Sequence, residues 1–189
     1  IMFCDLRGFT TLSEVKMPFD VVFILNKYFK LVTDAVTENQ GRIDKFIGDG
    51  VMAIFDQDHN TSLNCKNALR ASSEITESLA DLNSELSNEE IDPLRIGIGI
   101  HTGKAIIGKM GYGEASSETA IGDTVNVASR LEQLTKNYSC QLMFSNAVAE
   151  EALLDKSKLK SVKTEIRGKK EEIDAFCCIN AKEAIDAFQ

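Results

Sequence analysis

The chain of 189 residues predicts an α+β fold: a ferredoxin-like βαββαβ core with a mostly antiparallel sheet and C-terminal additions. Three observations carry this reading. The opening patterns run strand, helix, hairpin, helix, strand. Two long stretches place apolar residues at helical spacing. Between them an apolar segment turns on Gly48-Asp49-Gly50. No repeat, low-complexity tract or linker divides the sequence, so residues 1–189 read as a single domain long enough to bury a substantial core.

The elements follow in order. Residues 1–5 are apolar and read as a strand. Pro18 opens a helix, because its missing N–H costs nothing in a first turn. Val21, Leu25, Tyr28, Phe29, Val32 and Val36 then recur at helical spacing, and Gly41 ends the run. Residues 43–55 form a hairpin. A second long helix fits 61–86, with Ala68, Ala71, Ile75, Leu79, Leu82 and Leu86 on one stripe. Strands are expected at 94–101 and 104–110. Residues 111–117 read as a turn-rich connection, and a third helix fits 123–136. Strand patterns recur at 140–144, 158–166 and 173–179, with a small helix near 146–153.

Bulk properties exclude several classes of function. A net charge of −8 argues against a nucleic-acid surface, which needs a basic face. It leaves a nucleotide site open, since bound metal and a few local cations dominate there. No apolar run reaches the length of a membrane span, and no signal-peptide pattern is present. The five cysteines are odd in number and irregularly spaced, so reduced thiols in the cytoplasm are expected. Only His59 and His101 are available as imidazole ligands, which disfavours zinc. The chain starts abruptly within an apolar strand at Ile1. That reads as a domain cut from a longer protein, with room for a sensor or membrane region elsewhere in the parent.

Two aspartates stand out. Asp5 and Asp49 each sit where an apolar strand runs into a glycine-containing turn. Singly, each suits a turn or a helix cap. Together, in one cleft, they suit a hard divalent cation. Mg²⁺ takes one or two carboxylates and completes its octahedron with water and phosphate oxygens. After Asp5, the turn Leu6-Arg7-Gly8-Phe9-Thr10 has backbone N–H groups that can close on phosphate.

Four blocks carry a resemblance: Phe3-Cys4-Asp5-Leu6-Arg7-Gly8-Phe9-Thr10, then Asp44-Lys45-Phe46-Ile47-Gly48-Asp49-Gly50, then Gly97-Ile98-Gly99-Ile100-His101-Thr102-Gly103, then Thr119 to Arg130. In order and spacing they closely resemble the class III nucleotidyl cyclases, the catalytic domains of adenylyl and guanylyl cyclases. The resemblance spans essentially the whole chain. It implies the nucleotide cyclase fold and a head-to-tail homodimer with active sites at the interface. Asp5, Asp49 and the Leu6 carbonyl are then the ligands of two divalent ions, Mg²⁺ or Mn²⁺. Phe9 and Thr10 lend N–H groups to the triphosphate. The partner copy brings Lys45 and Thr119 to the base, Asn126 to the ribose and Arg130 to the α-phosphate. In the tail, Arg167-Gly168-Lys169-Lys170 matches a family turn that carries a phosphate-binding lysine, here assigned to Lys169, with Arg167 and Lys170 as alternatives.

Base preference follows from hydrogen-bonding capacity. Lysine only donates, so Lys45 suits the N1 acceptor of adenine and opposes the N1–H of guanine. The Thr119 hydroxyl can accept from adenine's amino group, but it can also donate, which makes its discrimination weaker than an aspartate's. The Lys–Thr pair resembles the subclass that includes bicarbonate-stimulated enzymes, which makes bicarbonate a candidate activator. The expectation is therefore an adenylyl cyclase converting ATP to 3′,5′-cyclic AMP and pyrophosphate. The alternatives are a guanylyl cyclase and a catalytically silent cyclase-like regulatory module. Asn126 and Arg130, four apart on a helix, share a face, flanked by the apolar Val125, Val127, Ala128 and Leu131. Gly97-x-Gly99 lies within a strand and lacks a following glycine-rich helix start, so it is no dinucleotide fingerprint.

Overall fold

The computed structural model describes residues 1–87, 91–113, 116–165 and 172–188. Strand β1 (Met2–Arg7) lies between β3 (Gly50–Ile54) and β4 (Arg95–Ile100), with β2 (Arg42–Ile47) outside β3. All three pairings are antiparallel. Helices α2 (Pro18–Glu38) and α3 (Thr61–Leu86) make the two crossovers. This is the expected βαββαβ core. The order places β1 at its centre: Met2–Cys4 pair with both neighbours, and Asp5–Arg7 continue the strand along β4.

Alternation along β1 sorts its residues by face. Met2, Cys4 and Leu6 point into the main core. There they meet Ile24, Tyr28 and Val32 of α2, Leu69 and Ile75 of α3, and Ile96, Ile98 and Ile100 of β4. Burying each such aliphatic side chain contributes about 2 kcal/mol. The buried Tyr28 hydroxyl donates to Cys4 Sγ at 3.3 Å, directly before Asp5. The other face receives Phe3, Asp5 and Arg7.

That second face is covered by α4 (Asp123–Tyr138). Here Gly97 and Gly99 find their purpose. A Cβ on Gly99 would lie 2.1 Å from the Glu132 nitrogen and 2.3 Å from the Ala128 oxygen. The alternating Ile-Gly-Ile-Gly-Ile thus gives one greasy face and one bare strip, on which the α4 backbone rests at Gly99 and the Arg7 and Thr135 side chains lie at Gly97. Arg7 fixes the seat, with Nη2 2.7 Å from Glu132 Oε1 and a further bond to the Thr135 hydroxyl.

Beyond β4 the strand expected at 104–110 and the turn-rich connection after it are present, but the chain then adds a strand that was not expected. It makes a separate two-stranded antiparallel ribbon, β5 (Ile106–Met110) with β6 (Ser117–Ile121). After α4, β7 (Leu142–Ser145) joins β4 in parallel. Helix α5 (Asn146–Glu151), β8 (Lys160–Glu165) and β9 (Glu172–Cys178) complete a seven-stranded sheet in the order β2-β3-β1-β4-β7-β9-β8. Two short helices were not expected, α1 (Phe9–Val15) and α6 (Lys182–Asp186). All five cysteines are free and buried. No helix among the described residues is long and apolar enough to cross a membrane.

Candidate active site

Asp5 leaves the central strand on the α4 face, and Asp49 sits at the tip of the β2–β3 hairpin. Gly48 adopts φ 62°, a left-handed conformation that glycine enters without penalty, and this closes the turn tightly enough to swing Asp49 toward β1. Gly50, the next residue, faces Asp5 with bare backbone. A Cβ there would stand 3.3 Å from Asp5 Oδ1. The two carboxyls are close enough to share a hydrogen bond. Asp5 is pushed up to about 6, first by burial and then by the negative charge of Asp49, with Arg7 opposing. Two carboxylates forced together on a partly buried strand end form an electrostatic deficit that a cation relieves. Among the described residues no group of three or more His, Cys, Asp or Glu is gathered for a metal. A two-carboxylate site therefore fits Mg²⁺ or Mn²⁺ presented with a phosphate substrate, and does not fit a closed zinc or calcium site.

The other predicted residues are distributed as follows. Leu6 is buried in β1 beside Asp5. Phe9 and Thr10 occupy the first turn of α1, where N–H groups lack intrahelical partners by geometry. Lys45 lies on β2, its side chain 40% exposed, with Nζ 3.4 Å from Asp44 Oδ2. Thr119 lies on β6, buried, and donates its hydroxyl proton to the same Asp44 Oδ2 at 2.6 Å. The structure thus joins Lys45 and Thr119, distant in sequence, at one carboxylate. Asn126 is exposed on the first turns of α4. Arg130, one turn on, is partly exposed, with Nη1 2.9 Å from Gln133 Oε1. Lys169, with Arg167 and Lys170, falls outside the described residues.

The 640 Å³ cavity that touches Asp5 is lined also by Leu6, Arg7, Asn83, Arg95 and Thr135. None of Asp49, Lys45, Thr119, Asn126 or Arg130 lines it. Sequence reasoning missed Asp44 and the Arg7–Glu132 seat. Glu132 lies on the buried face of α4 and is pushed up to about 7, chiefly by that burial. The only sequence signal for the seat is the bare Gly97-x-Gly99 strip, which by itself indicates no more than a strand.

Residues 1–178 match the family model for the adenylate and guanylate cyclase catalytic domain. An adenylate cyclase of Anabaena cylindrica is 37% identical over 183 residues, covering 93% of this chain and 36% of the relative. Adenylate cyclase 1 of Rhizobium meliloti is 34% identical over 186 residues, covering 98% of this chain and 28% of the relative. The chain therefore spans about a third of the length of these curated relatives. The crystal structure of a guanylyl cyclase superposes with a TM-score of 0.82 at 27% identity, covering 93% of this chain and 88% of that one. With the model match extending over nearly the whole length, the chain belongs to the adenylate and guanylate cyclase catalytic domain family.

Proposed function

We propose that this domain is an adenylyl cyclase that converts ATP to 3′,5′-cyclic AMP and pyrophosphate at sites shared between two copies of the chain. The observation that carries the reading is the convergence of Lys45 and Thr119 on Asp44. It sets a donor for adenine N1 beside a hydroxyl for the 6-amino group. Asp5, Asp49 and the Leu6 carbonyl would hold two divalent ions, which supply activation of the ribose 3′-hydroxyl and neutralise charge on the triphosphate.

The remaining chemistry belongs to the chain's own groups. The 3′-oxygen forms its bond to the α-phosphorus as the bond to the β-phosphate bridge breaks. The hydroxyl proton passes to solvent, and pyrophosphate leaves. Asn126 of the partner orients the ribose for in-line attack. Arg130 of the partner, permanently charged and able to give two parallel bonds, stabilises the α-phosphate as it gains charge. The N–H groups of Phe9 and Thr10 hold the triphosphate, and the resemblance assigns Lys169 to the same phosphates. A second copy is favoured by large apolar side chains left exposed next to the base-reading residues: Phe46 and Ile47 on the hairpin, and Ile106, Ile107 and Ile121 on the ribbon.

The test is direct. The purified domain is incubated with ATP or GTP and Mg²⁺ or Mn²⁺, with and without bicarbonate, and products are resolved by chromatography. Cyclic AMP from ATP, absent in Asp49→Ala, is the expected result. Cyclic GMP as the main product would reassign the base, and no cyclic product from dimeric protein would make the domain a regulatory module.

A further inference from the structure

Neighbouring residues on a strand face opposite ways. Asp44 and Lys45 nevertheless meet at one point. The register explains it: Ile43 pairs with Ala53 and Lys45 with Met52, leaving Asp44 as the extra residue of a β-bulge. Bulges re-aim side chains, and this one turns Asp44 toward the ribbon. Its side chain is completely buried. Oδ2 accepts the Thr119 proton at 2.6 Å and lies 3.4 Å from Lys45 Nζ. Oδ1 has no hydrogen-bond partner among the described residues. Holding a buried carboxylate oxygen unpaired is costly, so packing alone is a poor reason for an aspartate here.

A hydroxyl has one proton to give and lone pairs to receive. Threonine alone would serve a 6-amino group or a 6-oxo group equally. With its proton committed to Asp44, Thr119 can offer the base only lone pairs. We propose that Asp44 is a specificity-determining positioning residue: it holds the Thr119 proton, makes that hydroxyl an acceptor-only reader of the purine 6-position, and so selects amino over oxo. The same oxygen holds Lys45 beside it, so one buried group sets both halves of the reader. This inference rests on the proposed cyclase activity and assigns the control of its base choice.

The deciding probe is purine riboside 5′-triphosphate, which keeps the N1 acceptor and lacks the 6-amino group. The kcat/KM ratio of ATP to this analogue reads the Thr119 contact apart from Lys45. This ratio and the ATP to GTP ratio are measured on the full chain for wild type, Asp44→Leu, Asp44→Asn, Thr119→Val and the Asp44→Leu/Thr119→Val pair. Leucine fills the buried space without an acceptor, whereas asparagine keeps a carbonyl oxygen for Thr119. Wild type should favour ATP by about fivefold to tenfold, the worth of one hydrogen bond. Thr119→Val should bring that ratio to about one, whereas Asp44→Leu should keep a preference for ATP over the analogue, because the freed hydroxyl still accepts, and should instead lower the ATP to GTP ratio by about fivefold to tenfold, a gain for GTP that Thr119→Val in the double variant removes. Asp44→Asn should keep most of the preference for ATP over GTP. An ATP to GTP ratio in Asp44→Leu equal to that of wild type, with turnover lowered evenly for all nucleotides, would overturn the proposal and leave Asp44 as a tie between β2 and β6. Loss in Asp44→Asn as complete as in Asp44→Leu would overturn it too. Wild type that cyclises no nucleotide would instead remove the proposed function, and this inference with it.

Discussion

The hairpin β2–β3 carries two aspartates only five positions apart, and the fold treats them in opposite ways. Asp49 at the tip is pressed against Asp5, like charge against like, with Arg7 opposing. Asp44 on the arm is buried, bonded to a hydroxyl and set beside an ammonium. One pole carries unbalanced charge and favours whatever cation arrives. The other is balanced internally and can discriminate only by the direction of its hydrogen bonds. Substituting at the first pole should remove catalysis. Substituting at the second should change which base is used.

The largest effect is expected at the first pole. Asp49→Ala or Asp5→Ala should lower kcat by about a thousandfold or more, because positioning and charge stabilisation fail together. The proposed sharing of each site between two copies sharpens this. Asp5→Ala and Lys45→Ala proteins, each nearly inactive, should regain activity when mixed, since one heterodimer site keeps both residues. No recovery after demonstrated subunit exchange would count against a site built from two copies.

At the second pole, Lys45→Glu replaces a donor with an acceptor opposite purine N1. The ATP to GTP ratio of kcat/KM should fall by about a hundredfold or more, since charged hydrogen bonds are each worth about 1.5–3 kcal/mol. A uniform loss on both nucleotides would mean that Lys45 does not face the base.

How far each pole could be read from sequence differs for the same physical reason. The βαββαβ core, both long helices and the Asp49 turn were legible, because apolar periodicity and glycine turn chemistry are local signals. Lys45 and Thr119 were identifiable only through the resemblance. Asp44 was not assigned a role at all. Strand alternation sends it away from Lys45, and the bulge that reverses this depends on pairing with β3. Strand β6 was missed because Ser-Glu-Thr-Ala-Ile has little apolar pattern and is ordered by its partner β5 and by Ala120 packing beside Met52 and Ile54. Short α1 likewise lacks buried residues of its own.

The support common to both poles is the seat of α4, and Gly99→Ala tests it. The added methyl would meet backbone atoms of Glu132 and Ala128, which cannot rotate away. Overpacking of this kind costs about 1–3 kcal/mol, and urea unfolding should place the loss near the upper end. Activity should fall on ATP and GTP alike, because Asn126 and Arg130 ride on the displaced helix. A change in base preference without loss of stability would contradict a common seat.

The smallest effect isolates the charge imbalance itself. Asp5 has its folded pKa raised from the usual carboxylate value to about 6, by burial first and Asp49 second. Between those values the folded chain holds a proton that the unfolded chain has released, so stability must fall as pH rises through that window. Above about pH 6 the full penalty is present in metal-free protein, and below about pH 4 none of it is. Asp5→Asn removes the ionisation while keeping the shape. A rise of this size corresponds to about 3 kcal/mol for a fully shielded group; Asp5 is partly exposed, and solvent screening reduces this to about 1 kcal/mol. Metal-free Asp5→Asn should therefore outlast wild type in urea by about that amount at about pH 7, with the difference vanishing at about pH 4. Glu132, also raised by burial, titrates in both proteins and largely cancels from the difference. Adding Mg²⁺ with ATP should reverse the order, since the cation stabilises only the chain that keeps both carboxylates. An Asp5→Asn protein no more stable than wild type at about pH 7 would show that the two carboxylates are already reconciled without metal, and the contrast between the poles would be lost.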